Sequence, residues 1–533
     1  MSAATAAAVA PAAGADRRLP AWWPLAALVV LAAALRFSTL GLQSFWYDEA
    51  YTPVHVLHTS LSATLRAMVH SENSPPLWYV IEWVDYRVLG SGEFALRLPS
   101  ALAGVATVPV VWAIGQELAG RRAAIMTAAL VAVNPLFVWY SQEARAYGLF
   151  VLSAALALLF FLRAERHPTP GVMAAFAASG VLALLSHYFA VFLLIPMVLW
   201  LLAGRSTRRA ALPAAGALTL AGLALVPLIS AQGGHGTQWI GRWPLSERLE
   251  AIPQYYLTGY SAAPLGHGVE LLVALLVLAG AGLGLWRLLD RPPSLRAPEG
   301  ASADEERARG RRLLMVLSIA ACGVLVPIVL VAFGADYLAP RNLVGAMIPV
   351  TALIAALPAW PGTGRAGIAL AAILALAFLV LSLDVDLSPR LQRGNWRGVA
   401  KLLRSAGEAR AITTVELAGA PLEYYLHPLR NLPRGSTVIV TEIDETGYAP
   451  LRASAGLPPA AGFRLLERRD VDGLIVYRFV SPQPRTVSEA ELRRHVITLA
   501  HPEVLVPPRL LMSSGGVRPS AEVVQMSSSM KKI

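Results

Sequence analysis

Residues 75–90 read PPLWYVIEWVDYRVLG, an apolar stretch interrupted by Glu82, Asp85 and Arg87, and the topology of the whole chain turns on whether it crosses a membrane. It falls short of the roughly 20 residues that a spanning helix needs, and charges inside a span are costly. Pro75 and Pro76 set an extended approach to a helix start. We read the stretch as an interfacial helix. Leaving it out of the spans sends the arginines at 17–18, 121–122, 163–166, 205–209 and 287–312 to one side, which the positive-inside rule makes the cytoplasm. Counting it as a span would put Arg121 and Arg122 outside and invert every later loop.

The surrounding composition requires lipid as the solvent. Of 533 residues, 56% are hydrophobic and 15% charged, too apolar a balance for soluble cores. Apolar runs at 22–40, 98–119, 123–140, 148–162, 170–186, 188–204, 211–229, 267–286, 313–333, 343–359 and 367–384 predict about eleven spans. The expected fold class is therefore a polytopic α-helical membrane protein. Residues 1–21 form a cytoplasmic N-terminal segment, and the first run, uncut by a small-residue cleavage site, reads as a retained signal anchor. Residues 22–384 make the membrane domain, with 288–312 as a solvated cytoplasmic linker. The net charge of +11 follows from this topology, and no nucleic-acid partner is implied. Cys322 stands alone, so neither an intrachain disulfide nor a cysteine metal site can form. Gly280, Gly282 and Gly284 lie within a span, where small residues serve helix packing.

After residue 384 the polarity becomes ordinary. An amphipathic helix at 395–405 precedes strand-like runs at 411–417, 436–443 and 474–480, with a hairpin turn at Asp472-Gly473. Residues 385–512 are thus expected to form a small α/β domain, extracytoplasmic because an odd number of spans follows a cytoplasmic N-terminus. Residues 513–533 read as a disordered tail.

The outer loops carry the chemistry. The longest, 41–97, opens with GLQSFWYDEAYT and places Asp48 and Glu49 beyond the first span. Such a pair is either solvated or used, and one carboxylate suffices to deprotonate an acceptor hydroxyl. The same loop runs through His70, Ser71, Glu72, Asn73 and Ser74 to the double proline, read as helix punctuation. Arg97, at the outer mouth of the second span, suits a phosphate through its planar fork, or headgroups by snorkelling. The next outer loop supplies Glu143, Arg145 and Tyr147 beside an interfacial belt of Trp139 and Tyr140, and later junctions add His187, Asp336, Tyr337 and Arg341. Convergence of polar groups from several loops on one face is the mark of an assembled site.

The ordered series FWYDEAYT (45–52), SPPLWY (74–79), EFALRLPSALAG (93–104), GRRAA (120–124), NPLFVWYSQEARAYGLF (134–150) and SHYF (186–189) resembles GT-C glycosyltransferases of the family-39-like group, which includes protein O-mannosyltransferases, aminoarabinose transferases and RgtA/B/C/D-like enzymes. DYLAPRNLV (336–344) is similar to that group's basic loop. The resemblance implies a GT-C-like membrane domain in the cell membrane that moves a pentose or hexose, with inversion, from a polyprenyl-phosphate donor to a lipid, glycan or protein hydroxyl outside. It further implies Asp48 as base with Glu49 beside it, Arg97, Arg145 and Arg341 on the donor phosphate, and Glu143, Tyr147, His187 and Tyr337 around the substrate. Some relatives use a divalent metal, for which Asp48 and Glu143 would be the oxygen ligands, so metal use stays open. The alternative from another class is a transporter or flippase of a lipid-linked substrate, which would carry ionisable residues near the midplane and discontinuous helices.

Overall fold

The computed structural model describes residues 22–235, 237–259, 264–290, 303–404, 407, 409–495, 497–498 and 501–513. The expected N-terminal segment, residues 291–302 of the cytoplasmic linker and the tail from 514 lie outside these residues. Helix α1 (Trp23–Phe37) leads into short helices α2 (Tyr47–Tyr51), α3 (Leu61–Ser71) and α4 (Leu77–Leu89), and then into the long α5 (Glu93–Ala119). Within residues 75–90 the chain forms α4, with 13 residues. At 1.5 Å per residue it covers about 20 Å, against a hydrocarbon core of about 30 Å. Trp78, Tyr79 and Glu82 are buried on one side of α4, while Val84, Tyr86, Val88 and Leu89 stand exposed.

Onward run α6 (Arg121–Val133), α7 (Pro135–Ser141), α8 (Tyr147–Arg166), α9 (Pro170–Ser186), α10 (Val191–Ala203), α11 (Arg208–Gln232), the short α12 (Gln238–Arg242), α13 (Leu245–Thr258), α14 (His267–Asp290), α15 (Ala303–Ala332), α16 (Met347–Ala356) and α17 (Gly364–Leu387). Among the described residues, six helices are long and apolar enough to cross a membrane: α5, α8, α11, and the stretches His267–Leu289, Arg307–Ala332 and Gly364–Leu387. The pair α6 and α7, bent by 58°, makes a seventh candidate. Shorter apolar helices at Trp23–Phe37, Pro170–Ser186, Ala190–Ala203 and Pro340–Ala356 occupy the other positions where the hydropathy predicts spans. The chain is a multi-pass membrane protein. Helix α8 is its hub, its apolar window 72% buried, whereas α11 and α14 are 17% buried and turn leucines such as Leu220, Leu223, Leu271 and Leu278 outward.

The bend between α6 and α7 has a local cause. Pro135 cannot continue the α6 hydrogen-bond ladder, and Asn134 caps the new helix by accepting from the N–H groups of Leu136 and Phe137. The carbonyls left open at the end of α6 still need donors inside an apolar layer. Arg36, fully buried in the last turn of α1, donates to the carbonyls of Val131 (3.2 Å) and Ala132 (2.9 Å), and Ser382 donates to that of Val133 (2.8 Å). The discontinuity that a transporter would use for an ion is thus closed by side chains of the protein itself.

Beyond α17, helix α18 (Trp396–Leu403) packs on a six-stranded sheet built of β1 (Arg410–Val415), β2 (Arg430–Asn431), β3 (Thr437–Tyr448), β4 (Arg464–Val471), β5 (Leu474–Ser488) and β6 (Pro502–Val506). The strand order is β2-β6-β1-β3-β5-β4, with β1 and β3 parallel and the other pairs antiparallel. Asp472 and Gly473 join β4 to β5 with φ of 52° and 93°, the two left-handed positions of a tight hairpin turn. Helix α19 (Gly419–Leu426) lies between β1 and β2, and α20 (Glu489–Arg494), which follows β5, carries a Ser488/Glu491 capping box.

Beside α20, His495 sets a pH dependence. Its Nδ1 faces the Glu445 oxygens at 2.9 and 3.0 Å, and its Nε2 faces the Ser454 carbonyl at 3.1 Å. A carboxylate and a carbonyl only accept, so the ring must carry both protons. The hydrogen bond to Glu445 raises the His495 pKa, against burial and Arg452. A raised folded value means that the stabilisation is fully present below the unfolded value of about 6.5 and is lost as pH rises through the folded one. Thermal unfolding across a series from pH 6 upward should therefore show a fall in stability on the order of 1 kcal/mol in the wild type and a flatter profile in His495→Gln.

Candidate active site

Helix α2 presents Asp48 and Glu49 on consecutive positions, about 100° apart around its axis, so the two carboxylates cannot face the same way. Glu49 turns inward and is 0% exposed. Its oxygens take the fork of Arg97 from α5, Nε to Oε1 at 2.7 Å and Nη2 to Oε2 at 2.6 Å, and the Ala144 N–H at 2.8 Å. Arg97 also donates from Nη1 to the carbonyls of Leu40 (3.0 Å) and Gln43 (2.7 Å), and from Nη2 to that of Ser44 (3.1 Å). All its N–H groups are thereby engaged, with the side chain 1% exposed. Arg97, expected on a phosphate, and Glu49, expected beside the base, face each other in this structure and together pin the 40–44 turn to α5. Burial alone would raise the Glu49 carboxyl, but Arg97 and Arg393 hold it below the usual carboxylate range.

Arg393 was not singled out in the sequence, where it is one of several arginines after the last span. It is buried and donates from Nη2 to Glu143 (3.2 Å) and to the Trp139 carbonyl (3.2 Å), and from Nη1 to Gln43 Oε1 (3.3 Å), with its guanidinium 4.1 Å from the centre of the Trp139 ring. Burial pushes the Glu143 carboxyl up to about 7, Arg393 opposing and Glu49 and Asp48 adding to the rise. Glu143, expected around the substrate, is buried inside this network beside Arg393. Arg145 is likewise committed, pairing through both Nη atoms with Glu72 (3.1 and 3.0 Å) and donating to the Asp48 carbonyl (3.3 Å). Glu72 was passed over as part of the punctuation before the double proline. Arg145, expected as a phosphate ligand, here joins Glu72 to the Asp48 backbone.

Asp48 and Arg341 differ from these pairs. Arg341 Nη1 donates to Asp48 Oδ2 at 2.6 Å, both side chains are 20% exposed, and the guanidinium lies 4.9 Å from the centre of the Trp239 ring. His187 stacks on Phe150 at 4.7 Å, its Nδ1 accepts the Phe189 N–H, and Tyr147 lies 5.9 Å away, ring centre to ring centre. Burial, with Arg341 and Arg145 nearby, lowers the His187 pKa to about 3, so the ring is neutral near pH 7 and cannot serve as a cation for phosphate. Tyr337 is 41% exposed and stands outside the buried cluster, while Asp336 takes the fork of Arg248 at 2.6 and 2.9 Å.

The soluble domain is fastened to this centre. Tyr425 accepts the Phe45 N–H (2.8 Å) and donates to Glu93 (2.6 Å), Tyr424 donates to the Ser91 carbonyl (2.6 Å), and Arg397 pairs with Glu93 (2.8 Å). Both tyrosines therefore lie at the contact between this domain and the 41–97 loop. As for a metal, no group of three or more His, Cys, Asp or Glu that could hold one occurs among the described residues. The candidates Asp48 and Glu143 already face arginines, so the donor set does not fit a divalent cation.

The fold has counterparts among solved structures. The fold matches that of ArnT from Cupriavidus metallidurans in a crystal structure bound to undecaprenyl phosphate, with a TM-score of 0.52 over 86% of this chain and 98% of that one, at 14% sequence identity. The chain has the GT-C fold. ArnT in its apo state gives a TM-score of 0.51 with the same identity. Within the GT-C domain, residues 73–230 match the family described as dolichyl-phosphate-mannose-protein mannosyltransferase. A putative mannosyltransferase of Bacillus subtilis (strain 168), YkcB, is 24% identical over 165 residues, which are 29% of this chain and 23% of that protein. The match thus spans about a quarter of the relative's length.

The structural assignment of Arg97 is testable. Lysine keeps the charge but offers three donors from a single point. Arg97→Lys should lower the stability of the purified protein by about 3 kcal/mol in thermal unfolding, the scale of a broken buried pair.

Proposed function

We propose that this protein is a glycosyltransferase of the outer membrane face that moves a sugar, with inversion, from a polyprenyl-phosphate carrier to a hydroxyl on a lipid, glycan or protein acceptor. The observation that carries this reading is the part-exposed Asp48–Arg341 pair, a carboxylate and a guanidinium together at a rim where the other acids and arginines of the cluster are locked into the scaffold. Asp48 takes the proton of the acceptor hydroxyl, and Arg341 stabilises the charge that grows on the phosphate as the glycosidic bond breaks. One base suffices for an inverting displacement. The likeness to ArnT, crystallised with undecaprenyl phosphate, supports the choice of carrier, and the match to a mannosyltransferase family supports the reaction class. Tyr147 and neutral His187 supply a ring wall and hydrogen-bonding groups for the sugar.

The topology belongs to the same proposal. Taking the shorter apolar helices and the bent pair as spans yields eleven, with the N-terminus in the cytoplasm, α4 lying at the outer interface, and the soluble domain outside beside α2. Arg121 and Arg122 then face the cytoplasm, on the opposite side from Asp48. A charge-reporter fusion placed after Arg122 should report a cytoplasmic position; an external one would reverse the sidedness of the site.

The direct test of function is a transfer assay of the purified protein with a panel of polyprenyl-phosphate sugars and mass detection of the products. One or more donors should yield free polyprenyl phosphate and a glycosylated acceptor, and Asp48→Asn should reduce the rate by at least about 100-fold, as expected for loss of a general base. Full activity in Asp48→Asn would remove the proposed base.

A further inference from the structure

The 2.6 Å contact that places Arg341 beside Asp48 also obstructs the role given to Asp48. A carboxylate oxygen that accepts a short charge-assisted hydrogen bond has a lone pair engaged, and Oδ2 cannot offer that lone pair to a hydroxyl. Arg97, Arg145 and Arg393 cannot take over the phosphate, because they are fixed on Glu49, Glu72 and Glu143. Arg341 is the arginine of the cluster whose acid partner stands at the rim, in the 340–346 turn just before α16, and its guanidinium already lies 4.9 Å from the centre of the Trp239 ring, a contact that holds its charge while its anionic partner changes. Resting on the donor reading above, we propose that Arg341 is shared: it holds Asp48 until a polyprenyl phosphate reaches the rim, then transfers to the phosphate and frees the Asp48 carboxylate. Donor binding thereby precedes, and is required for, activation of the acceptor.

The exchange fits the balance of the reaction. The acceptor hydroxyl gives its proton to Asp48, its oxygen bonds the anomeric carbon, and the electron pair of the breaking carbon–oxygen bond leaves with the phosphate. At that moment Asp48 is neutral and the phosphate has gained negative charge, so Arg341 stays with the lipid phosphate. When Asp48 loses its proton it competes for Arg341 again, which favours release of the carrier. The same pair thus orders binding at the start of the cycle and release at its end.

The test is the affinity for sugar-free undecaprenyl monophosphate in detergent micelles, read by native mass spectrometry on the full-length protein. If Asp48 and the phosphate compete for Arg341, removing the carboxylate strengthens binding, by about fivefold for a part-exposed ion pair. Asp48→Asn and Asp48→Ala should both show this gain, Arg341→Ala should bind about tenfold more weakly, and Asp48→Asn in the Arg341→Ala background should show no gain. Equal or weaker binding by both Asp48 variants overturns the exchange while leaving the donor reading standing. A gain that persists in the Arg341→Ala background reduces it to simple charge repulsion and also overturns it. Absence of binding by the wild type removes the donor reading itself, and the exchange with it.

Discussion

The Glu49–Arg97 fork is the contact on which the rest of the polar cluster depends. A buried carboxylate and guanidinium are tolerable only when their hydrogen-bonding capacity is met, and here every donor of Arg97 finds an acceptor while Glu49 also takes the Ala144 N–H. That requirement ties three segments together: the turn after α1, the start of α5, and the loop before α8. Because Glu49 is held inward, its neighbour Asp48 must point elsewhere, and the geometry of one helical step sends it to the rim. A buried acid therefore sets the direction of its partly exposed neighbour.

Arg393 extends the same logic to the soluble domain. It reaches Gln43 across 350 residues of chain, and Tyr425 reaches the Phe45 backbone across 380. The stem of the soluble domain is in this way part of the wall behind Asp48. Within the membrane, Arg36 performs a comparable service for the broken α6–α7 helix, whose carbonyls would otherwise be unpaired in an apolar layer. Buried arginines here close backbone and acid valences, while the Asp48–Arg341 pair stays partly exposed at the rim.

Much of the architecture was legible because its causes are local. Apolar runs mark the helices, the shortness and charge of 75–90 mark α4, and Asp472-Gly473 marks a hairpin, since each follows from period, length or turn chemistry. The grouping of polar residues from distant loops was also readable, as charges at the ends of spans on one side. Partner choice was not. Nothing near Arg97 in the chain distinguishes an arginine that will meet a phosphate from one that will meet Glu49 and three carbonyls, because the difference lies in contacts about 50 residues away. Glu72 was hidden for a related reason: the prolines beside it supplied a sufficient local explanation for the stretch. Arg393 had no local signal, and its role exists only once the soluble domain is docked.

The central claim is that two adjacent carboxylates have opposite duties, and thermal unfolding of Glu49→Gln and Asp48→Asn side by side in the same detergent tests it most directly. The account requires Glu49→Gln to lose about 3 kcal/mol or more, since it leaves Arg97 buried with its charge uncompensated, while Asp48→Asn stays within about 1 kcal/mol of the wild type. Equal losses in the two variants, or a larger loss in Asp48→Asn, would contradict it.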